Sequence, residues 1–380
     1  MFSNAKTILR VGGVPVRADA SWAVILVLLA WSFWSRFTTG QPRYPVGVAF
    51  AMAVVASLLF GGSVLAHELA HAFVAKRRGV QVEGITLYLF GGATEIVSEA
   101  RRWGDEFALT AAGPLTSLGL ALVFGLIAFG ADRLALGAVT VVAGELAWLN
   151  GIVGAFNLLP GSPLDGGRLL EAVVWRVTGD RLRATRVAAA AGRLIGMLLL
   201  VAGVVELFFV LGGAPSGLWL GLIGWFLIQG ARAEEAQAEI RRLLANVPAE
   251  RVAAQPVIVP ATTPLPQVVE DWFRHRHIDA VLVADNGTPT GVLTLDAVRR
   301  LHSAQRAESV AGQVARPLTE LPSIAADQPV TTVLYQLARN PVVVRQDDRI
   351  VGLLTMEHVA AVAERARQLE RQSGGRPGWP

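Results

Sequence analysis

Ala56-Ser-Leu-Leu-Phe-Gly-Gly-Ser-Val-Leu-Ala-His67-Glu68-Leu-Ala-His71-Ala-Phe-Val-Ala75 is the stretch on which the reading of this chain turns. It holds one carboxylate, two histidines and no lysine or arginine, and about 20 apolar residues are what a helix needs to cross a hydrocarbon core of about 30 Å. It closes a longer apolar run, about 46–75, and comparable runs lie at about 18–36, 106–130, 135–159, 187–211 and 216–231. The last is short, and the second is long enough to tilt or protrude. The composition agrees: of 380 residues, 53% are hydrophobic and only 17% charged, with a mean hydropathy of +0.46. Soluble domains carry roughly 25% charged residues, so an ordinary soluble enzyme is excluded. The run from Ala18 to Trp34 lacks an obvious small-x-small cleavage site before Arg36 and reads as a retained helix, not a signal peptide.

Positive charge orients the spans. Lys6, Arg10 and Arg17 precede the first; Lys76, Arg77, Arg78, Arg101 and Arg102 separate the second from the third; Arg168, Arg176, Arg181, Arg183 and Arg186 separate the fourth from the fifth. The other side carries only Arg36, Arg43 and Arg133. Thirteen against three puts both termini in the cytoplasm of a multi-pass cell-membrane protein. The formal net charge of +4 comes from loop arginines and marks no nucleic-acid partner. With no cysteine, disulfide scaffolds, thiolate zinc sites and cysteine nucleophiles are all excluded.

His67 and His71 are four residues apart, so on a helix they share one face and can grip one metal ion. Glu68 can then reach a water at that metal as general base, the arrangement of zinc metalloproteases. The competing readings are chance, or histidines satisfied in a core. They lose weight because an ionisable side chain at the centre of a membrane helix costs about 2.5–3.5 kcal/mol. Glu68 lies eight residues before Lys76, about 12 Å below the cytoplasmic rim at 1.5 Å per residue. A tetrahedral catalytic zinc needs a third protein ligand, and every other histidine lies in the charged C-terminal part. A carboxylate must serve, and the best candidate is Asp165 in Asn157-Leu-Leu-Pro-Gly-Ser-Pro-Leu-Asp165-Gly-Gly-Arg168. Asp165 is alternatively just the N-cap of a following helix.

Residues 280–294, AVLVADNGTPTGVLT, align with 341–355, PVVVRQDDRIVGLLT, at an offset of 61. Each copy reads as strand, polar turn (Asp285-Asn286-Gly287; Gln346-Asp347-Asp348), strand and helix, with helical patterns before them at about 264–276 and 329–339. This repeat resembles a tandem pair of CBS domains. The fold class is therefore a polytopic α-helical membrane domain of about six transmembrane helices followed by an α/β tandem CBS module. The segments are 1–231 for the membrane domain, 232–250 for a linker helix, 251–305 and 306–365 for the repeats, and 366–380 for a disordered tail.

HELAH in one helix with NLLPGSPLDGGR in a later one resembles the site-2 protease family of intramembrane zinc metalloproteases, in its prokaryotic branch with C-terminal CBS domains. The resemblance implies one catalytic zinc held by His67, His71 and Asp165, a water activated by Glu68, and a polarised carbonyl assisted by Asn157. It also implies cleavage of transmembrane segments of other membrane proteins, releasing or destroying a transcription regulator or an anti-sigma factor. Ile85-Thr-Leu-Tyr-Leu-Phe90, ending in Gly91-Gly92, reads as a re-entrant β-hairpin whose edge and glycines bind an extended substrate strand, or else as an ordinary loop strand. Gly113-Pro114 with Ser117 resembles a family Gly-Pro motif, which a simple proline kink explains as well.

Glu145 falls mid-way along the fourth span, where a carboxylate calls for a polar cavity or a partner; Glu206 in the fifth lies nearer the outer surface. Trp22, Trp31 and Trp34 read as interfacial anchors, and His275 and His277, among arginines, as a solvated face. CBS pairs often bind adenine nucleotides, with an aspartate three residues after the threonine. Here those positions are Ala297 after Thr294 and His358 after Thr355, with Asp296 one residue early, so a dimerising or substrate-docking pair is an equal expectation. The competing function is a CBS-gated transporter or channel, which has no use for a base beside a three-ligand zinc.

Overall fold

The structure, a computed structural model, describes residues 5–88, 91–96, 100, 102–209, 215–276, 278–338, 340–347 and 349–372. Leu89, Phe90, Arg101, His277, Asp348 and residues 373–380, on which expectations were placed, lie outside the described residues. Two compact units divide the chain, Met1–Ala238 and Glu239–Pro380.

The first unit opens with a hairpin, β1 (Lys6–Val11) and β2 (Val14–Ala18), turned by Gly12 and Gly13 at φ +56° and +78°. Two consecutive positive φ angles suit the tight turns that join twisted antiparallel strands, and glycine adopts them without strain. Helix α1 (Ala20–Thr39) follows, its start fixed by Asp19, which accepts from the Ser21 backbone N–H at 2.9 Å and hydroxyl at 2.6 Å. The Ser21 hydroxyl hydrogen bond holds the Asp19 carboxyl below the usual carboxylate range. Then come α2 (Val46–Arg77), β3 (Val82–Tyr88), β4 (Gly91–Ile96), α3 (Trp103–Arg133), α4 (Gly137–Asn157), α5 (Asp165–Thr178), α6 (Arg181–Phe209) and α7 (Pro215–Leu244). The strands form one sheet in the order β1-β2-β3-β4, with β2 and β3 parallel and the other pairs antiparallel. The expected hairpin is thus β3–β4, set in a larger sheet whose other half precedes the first span.

Helices α1 to α4 and α6 are long and apolar enough to cross a membrane. The sixth expected run begins α7, which continues unbroken to Leu244, so the stretch from 232 is not a separate linker helix. The helices invert the polarity of a water-soluble bundle. On α2 the buried residues apart from Met52 are small or polar, among them Ala53, Ala56, Ser57, Gly61, Ser63, His67, Glu68 and His71. Large apolar residues such as Val27, Trp31, Leu122, Phe129, Leu198 and Phe208 are exposed. Small interfaces and polar cross-links are how helices associate in lipid, where apolar burial gives no driving force. Ser57 Oγ donates to the Leu26 carbonyl at 2.7 Å and Asn150 Nδ2 to Ser63 Oγ at 3.3 Å. Glu145 has its partner: Arg36 Nε donates to Glu145 Oε1 at 2.6 Å, joining α1 to α4. Helices α6 and α7 touch backbone to backbone. A Cβ on Gly203 would lie 2.5 Å from the Gly217 carbonyl, and one on Gly224 would lie 2.4 Å from the Gly196 carbonyl.

The second unit contains α8 (Ala249–Val252), β5 (Ile258–Pro260), α9 (Leu265–Val268), β6 (Ala280–Asp285), β7 (Thr288–Thr294), α10 (Leu295–Arg299), α11 (Ser303–Glu308) and α12 (Ala311–Val314). It continues with β8 (Arg316–Pro317), β9 (Ser323–Ala325), α13 (Leu334–Leu337), β10 (Val342–Gln346), β11 (Arg349–Leu354) and α14 (Met356–Gln372). The two copies of the repeat are the hairpins β6–β7 and β10–β11, in sheets ordered β5-β6-β7-β8 and β11-β10-β9. Each copy has its own core, and that of the second includes Leu244, Val247, Ala249 and Val252 from ahead of the first. Residues 366–372, expected in a disordered tail, are helical, because Ala366 continues the buried stripe of Val359 and Ala363 along α14.

Candidate metal centre

His67 and His71 lie on the same face of α2 one turn apart, both buried. Asp165 is the first residue of α5, 98 positions away in sequence from His67. The N-cap of α5 is Leu164, so Asp165 is not the cap. Its carboxylate instead sits in the first turn, where the helix dipole favours negative charge. Two glycines put it there, because α5 doubles back on the loop that ends α4. A Cβ on Gly166 would lie 2.2 Å from the Leu159 carbonyl oxygen, and one on Gly167 would lie 2.3 Å from the Ser162 nitrogen.

The three side chains converge. His67 Nε2 is 3.2 Å from His71 Nε2 and 3.2 Å from Asp165 Oδ2, and His71 Nε2 is 3.4 Å from that same oxygen. Zinc bonds of about 2.0–2.1 Å in tetrahedral directions separate neighbouring ligand atoms by about 3.3 Å, so the triangle fits a zinc ion in size. The outer ring nitrogens fit too. His71 Nδ1 donates to the Leu109 carbonyl at 2.7 Å, which leaves Nε2 of the neutral ring as a lone pair. His67 Nδ1 lies 2.9 Å from Ser117 Oγ. Between these two supports, Gly113 approaches so closely that a Cβ there would lie 2.2 Å from His71 Nε2 and 2.6 Å from His67 Nε2. Only a residue without a side chain leaves the space in front of both nitrogens open.

Glu68 points to a second support. Thr94 Oγ1, on β4, donates to Glu68 Oε2 at 2.7 Å, and Gly92 of the same strand packs so that a Cβ would meet Glu68 Cγ at 2.3 Å. Gly91 begins β4 and pairs with Tyr88 across the hairpin. Asn157 is the last residue of α4, half-buried where the helix stops. The sequence pointed to His67, Glu68, His71 and Asp165 but not to Leu109, Thr94 or the part played by Gly113. The Gly-Pro pair with Ser117 was the one local signal on α3, and it read equally well as a kink.

The family model described as Peptidase family M50 matches residues 55–132 and 127–203, and the one described as CBS domain matches residues 249–303. Over 362 residues the chain is 37% identical to a Mycobacterium tuberculosis protein named "Putative zinc metalloprotease Rip3", covering 93% of this chain and 92% of that one. The chain belongs to peptidase family M50, the site-2 proteases. This site-2 protease is also 30% identical to "Putative zinc metalloprotease sll0528" of Synechocystis, over 91% of this chain and 93% of that one. It is 28% identical to "Zinc metalloprotease MJ0392" of Methanocaldococcus jannaschii over 67% of this chain and 70% of that one. As an M50 peptidase it is a multi-pass membrane zinc metalloprotease with a CBS module, and its zinc has a fitting ligand set in His67, His71 and Asp165.

Proposed function

We propose that this protease cuts transmembrane segments of other membrane proteins within the bilayer, as a step in regulated proteolysis that releases or destroys a transcription regulator or an anti-sigma factor. His67, His71 and Asp165 would hold the zinc through Nε2, Nε2 and Oδ2. When bound, the ion would supply a Lewis acid for a water and a carbonyl. Glu68, its carboxylate held at Oε2 by the Thr94 hydroxyl, takes the proton of the attacking water and returns it to the leaving amine. Asn157 donates its amide N–H to the substrate carbonyl oxygen. The substrate strand pairs along β4, beside Gly91 and Gly92, because a helix hides its scissile amides in its own hydrogen bonds and must unwind first. Both termini face the cytoplasm, and the cut falls in the cytoplasmic half of the segment. The CBS pair governs access. Its cleft of about 760 Å³ is lined by residues that include Thr294, Asp296, Arg299, Arg316 and Thr355. A nucleotide there changes cleavage only if it binds two states of the protease unequally.

The observation that carries this reading is the triangle of 3.2, 3.2 and 3.4 Å among the three ligand atoms. Its test uses Glu68→Gln in detergent with a single-span protein bearing glycine and proline in its cytoplasmic half. The variant keeps stoichiometric zinc by elemental analysis and loses cleavage. Retained proteolysis would remove Glu68 from the role of base.

A further inference from the structure

Helix α3 serves all three ligands from one face. Leu109, Gly113 and Ser117 address the two histidines, and Glu106, one turn earlier, addresses α5. Glu106 is buried, and its Oε1 lies 3.2 Å from Nε of Arg168, three residues after Asp165. Residues three apart on a helix are neighbours, so Arg168 is placed to reach the carboxylate of Asp165 on its own helix. Arginine binds carboxylates with paired, charge-assisted hydrogen bonds, and these compete with a metal for the same lone pairs. Of the other acids acting on Arg168, Glu171 is already engaged, accepting from Thr185 Oγ1 at 3.0 Å with Arg181 Nε at 3.7 Å, and Glu234 lies on α7.

We propose that Glu106 is a positioning residue that holds the Arg168 guanidinium off Asp165, so that Asp165 Oδ2 stays available to the zinc. The proposal rests on Asp165 being a ligand. Glu106 touches neither metal nor substrate. It acts through Arg168, and removing both partners therefore repairs what removing Glu106 alone damages. A merely structural α3–α5 brace behaves otherwise: its loss lowers the melting temperature of the zinc-free protein and leaves the affinity of the folded fraction for zinc unchanged.

The test is the zinc affinity of full-length protein in detergent, by competition with a chromophoric chelator, beside the melting temperature of the zinc-free protein. Glu106→Gln weakens zinc binding of the folded protein about tenfold or more, within the range for groups behind a ligand, whatever it does to the zinc-free melting temperature. Glu106→Gln with Arg168→Gln returns to within about threefold of the parent, since the competing cation is gone. If Glu106→Gln does not fold, Glu106→Asp keeps the charge, shortens the reach and gives the same ordering with and without Arg168→Gln. Parental affinity in the single variant, or a double variant as weak as the single, overturns the proposal. Asp165→Ala is the control. If it loses zinc while Glu106→Gln keeps it, the positioning role alone falls; if it keeps parental affinity, the ligand assignment falls as well.

Discussion

Gly113 shows how little side chain a position beside two converging histidines can tolerate. It sits where an added methyl group would lie 2.2 and 2.6 Å from the two imidazole nitrogens, in the volume a metal must enter. Gly113→Ala is expected to fold, since alanine is the better helix former, and to bind less than a tenth of the parental zinc. Elemental analysis of the purified variant measures this; full zinc content would show that the histidines give way. The contrast with His67 and His71 explains what the sequence made legible. Two histidines four residues apart on one helix announce a possible metal grip through spacing alone, and Asp165 is marked because proline and glycine break the apolar run beside it. The contacts of His71 with Leu109 and of His67 with Ser117 join residues 38 and 50 positions apart, and one of them uses a backbone carbonyl. No residue type marks such a contact in advance. Arg36 read as a loop charge for the same reason, since its partner Glu145 is 109 residues away.

Two elements divide the support of the site, α3 behind His67 and His71 and β4 behind Glu68. On β4, alternate residues Gly92 and Thr94 face Glu68, while Glu95, on the other face, pairs with Arg17 at 2.7 Å and accepts from Thr86 Oγ1 at 2.7 Å. Damage to β4 is therefore expected to spare zinc and slow chemistry. Gly92→Ala and Thr94→Val should each lower kcat about 10- to 100-fold, the scale of a small misplacement of a reacting group, with zinc content full and, for Thr94→Val, KM changed little. Thr94→Ser, which keeps the hydroxyl, should recover most of the rate. Steady-state kinetics with elemental analysis checks both, and zinc loss in either variant would mean that β4 and α3 do not act separately. The pairing of β3 with β4 was legible from imperfect alternation ending in two glycines. No expectation covers the hairpin β1–β2, although Val11-Gly12-Gly13-Val14 is a turn signal between alternating residues. Its lysine and arginines read as topology markers, and charge on an exposed edge strand serves both purposes.

At the scale of the molecule, the cores of the second unit are built from residues of that unit alone, and its response to pH should be its own. Burial pushes the His358 imidazole below its ordinary value of 6.5, opposed in part by Asp279. The folded state then prefers the neutral ring, so this contribution is complete above about pH 6.5, declines as pH falls below it, and stops changing beneath the folded pKa. A fragment beginning at Glu239 should melt at a lower temperature at pH 5.5 than at pH 7.5. His358→Gln should reduce that difference, and an identical pH dependence in both proteins would remove His358 as its source. The repeat at an offset of 61 made this module readable from sequence, because each copy carries its own turn: Asn286 and Gly287 at φ +48° and +80° in one, Asp347 at φ +52° in the other. The use of residues 244–252 by the second core was not readable, since nothing local distinguishes a helix end that packs forward from one that links.

The seam between α6 and α7 has a consequence for how this sequence can drift. Gly196 meets Gly224 and Gly203 meets Gly217 with no room for a methyl group, while Leu194, Leu198, Phe208, Leu218 and Trp219 of the same helices face outward. In a water-soluble bundle the bulky residues are the fixed ones and the small surface residues are free to vary. Here the order is reversed: exchange among leucine, valine and phenylalanine on the outer face alters only which apolar group meets a lipid chain, whereas gaining a single carbon at any of the four glycines forces two backbones apart. Saturation mutagenesis of these helices would therefore return a map in which tolerance rises with the size of the native side chain.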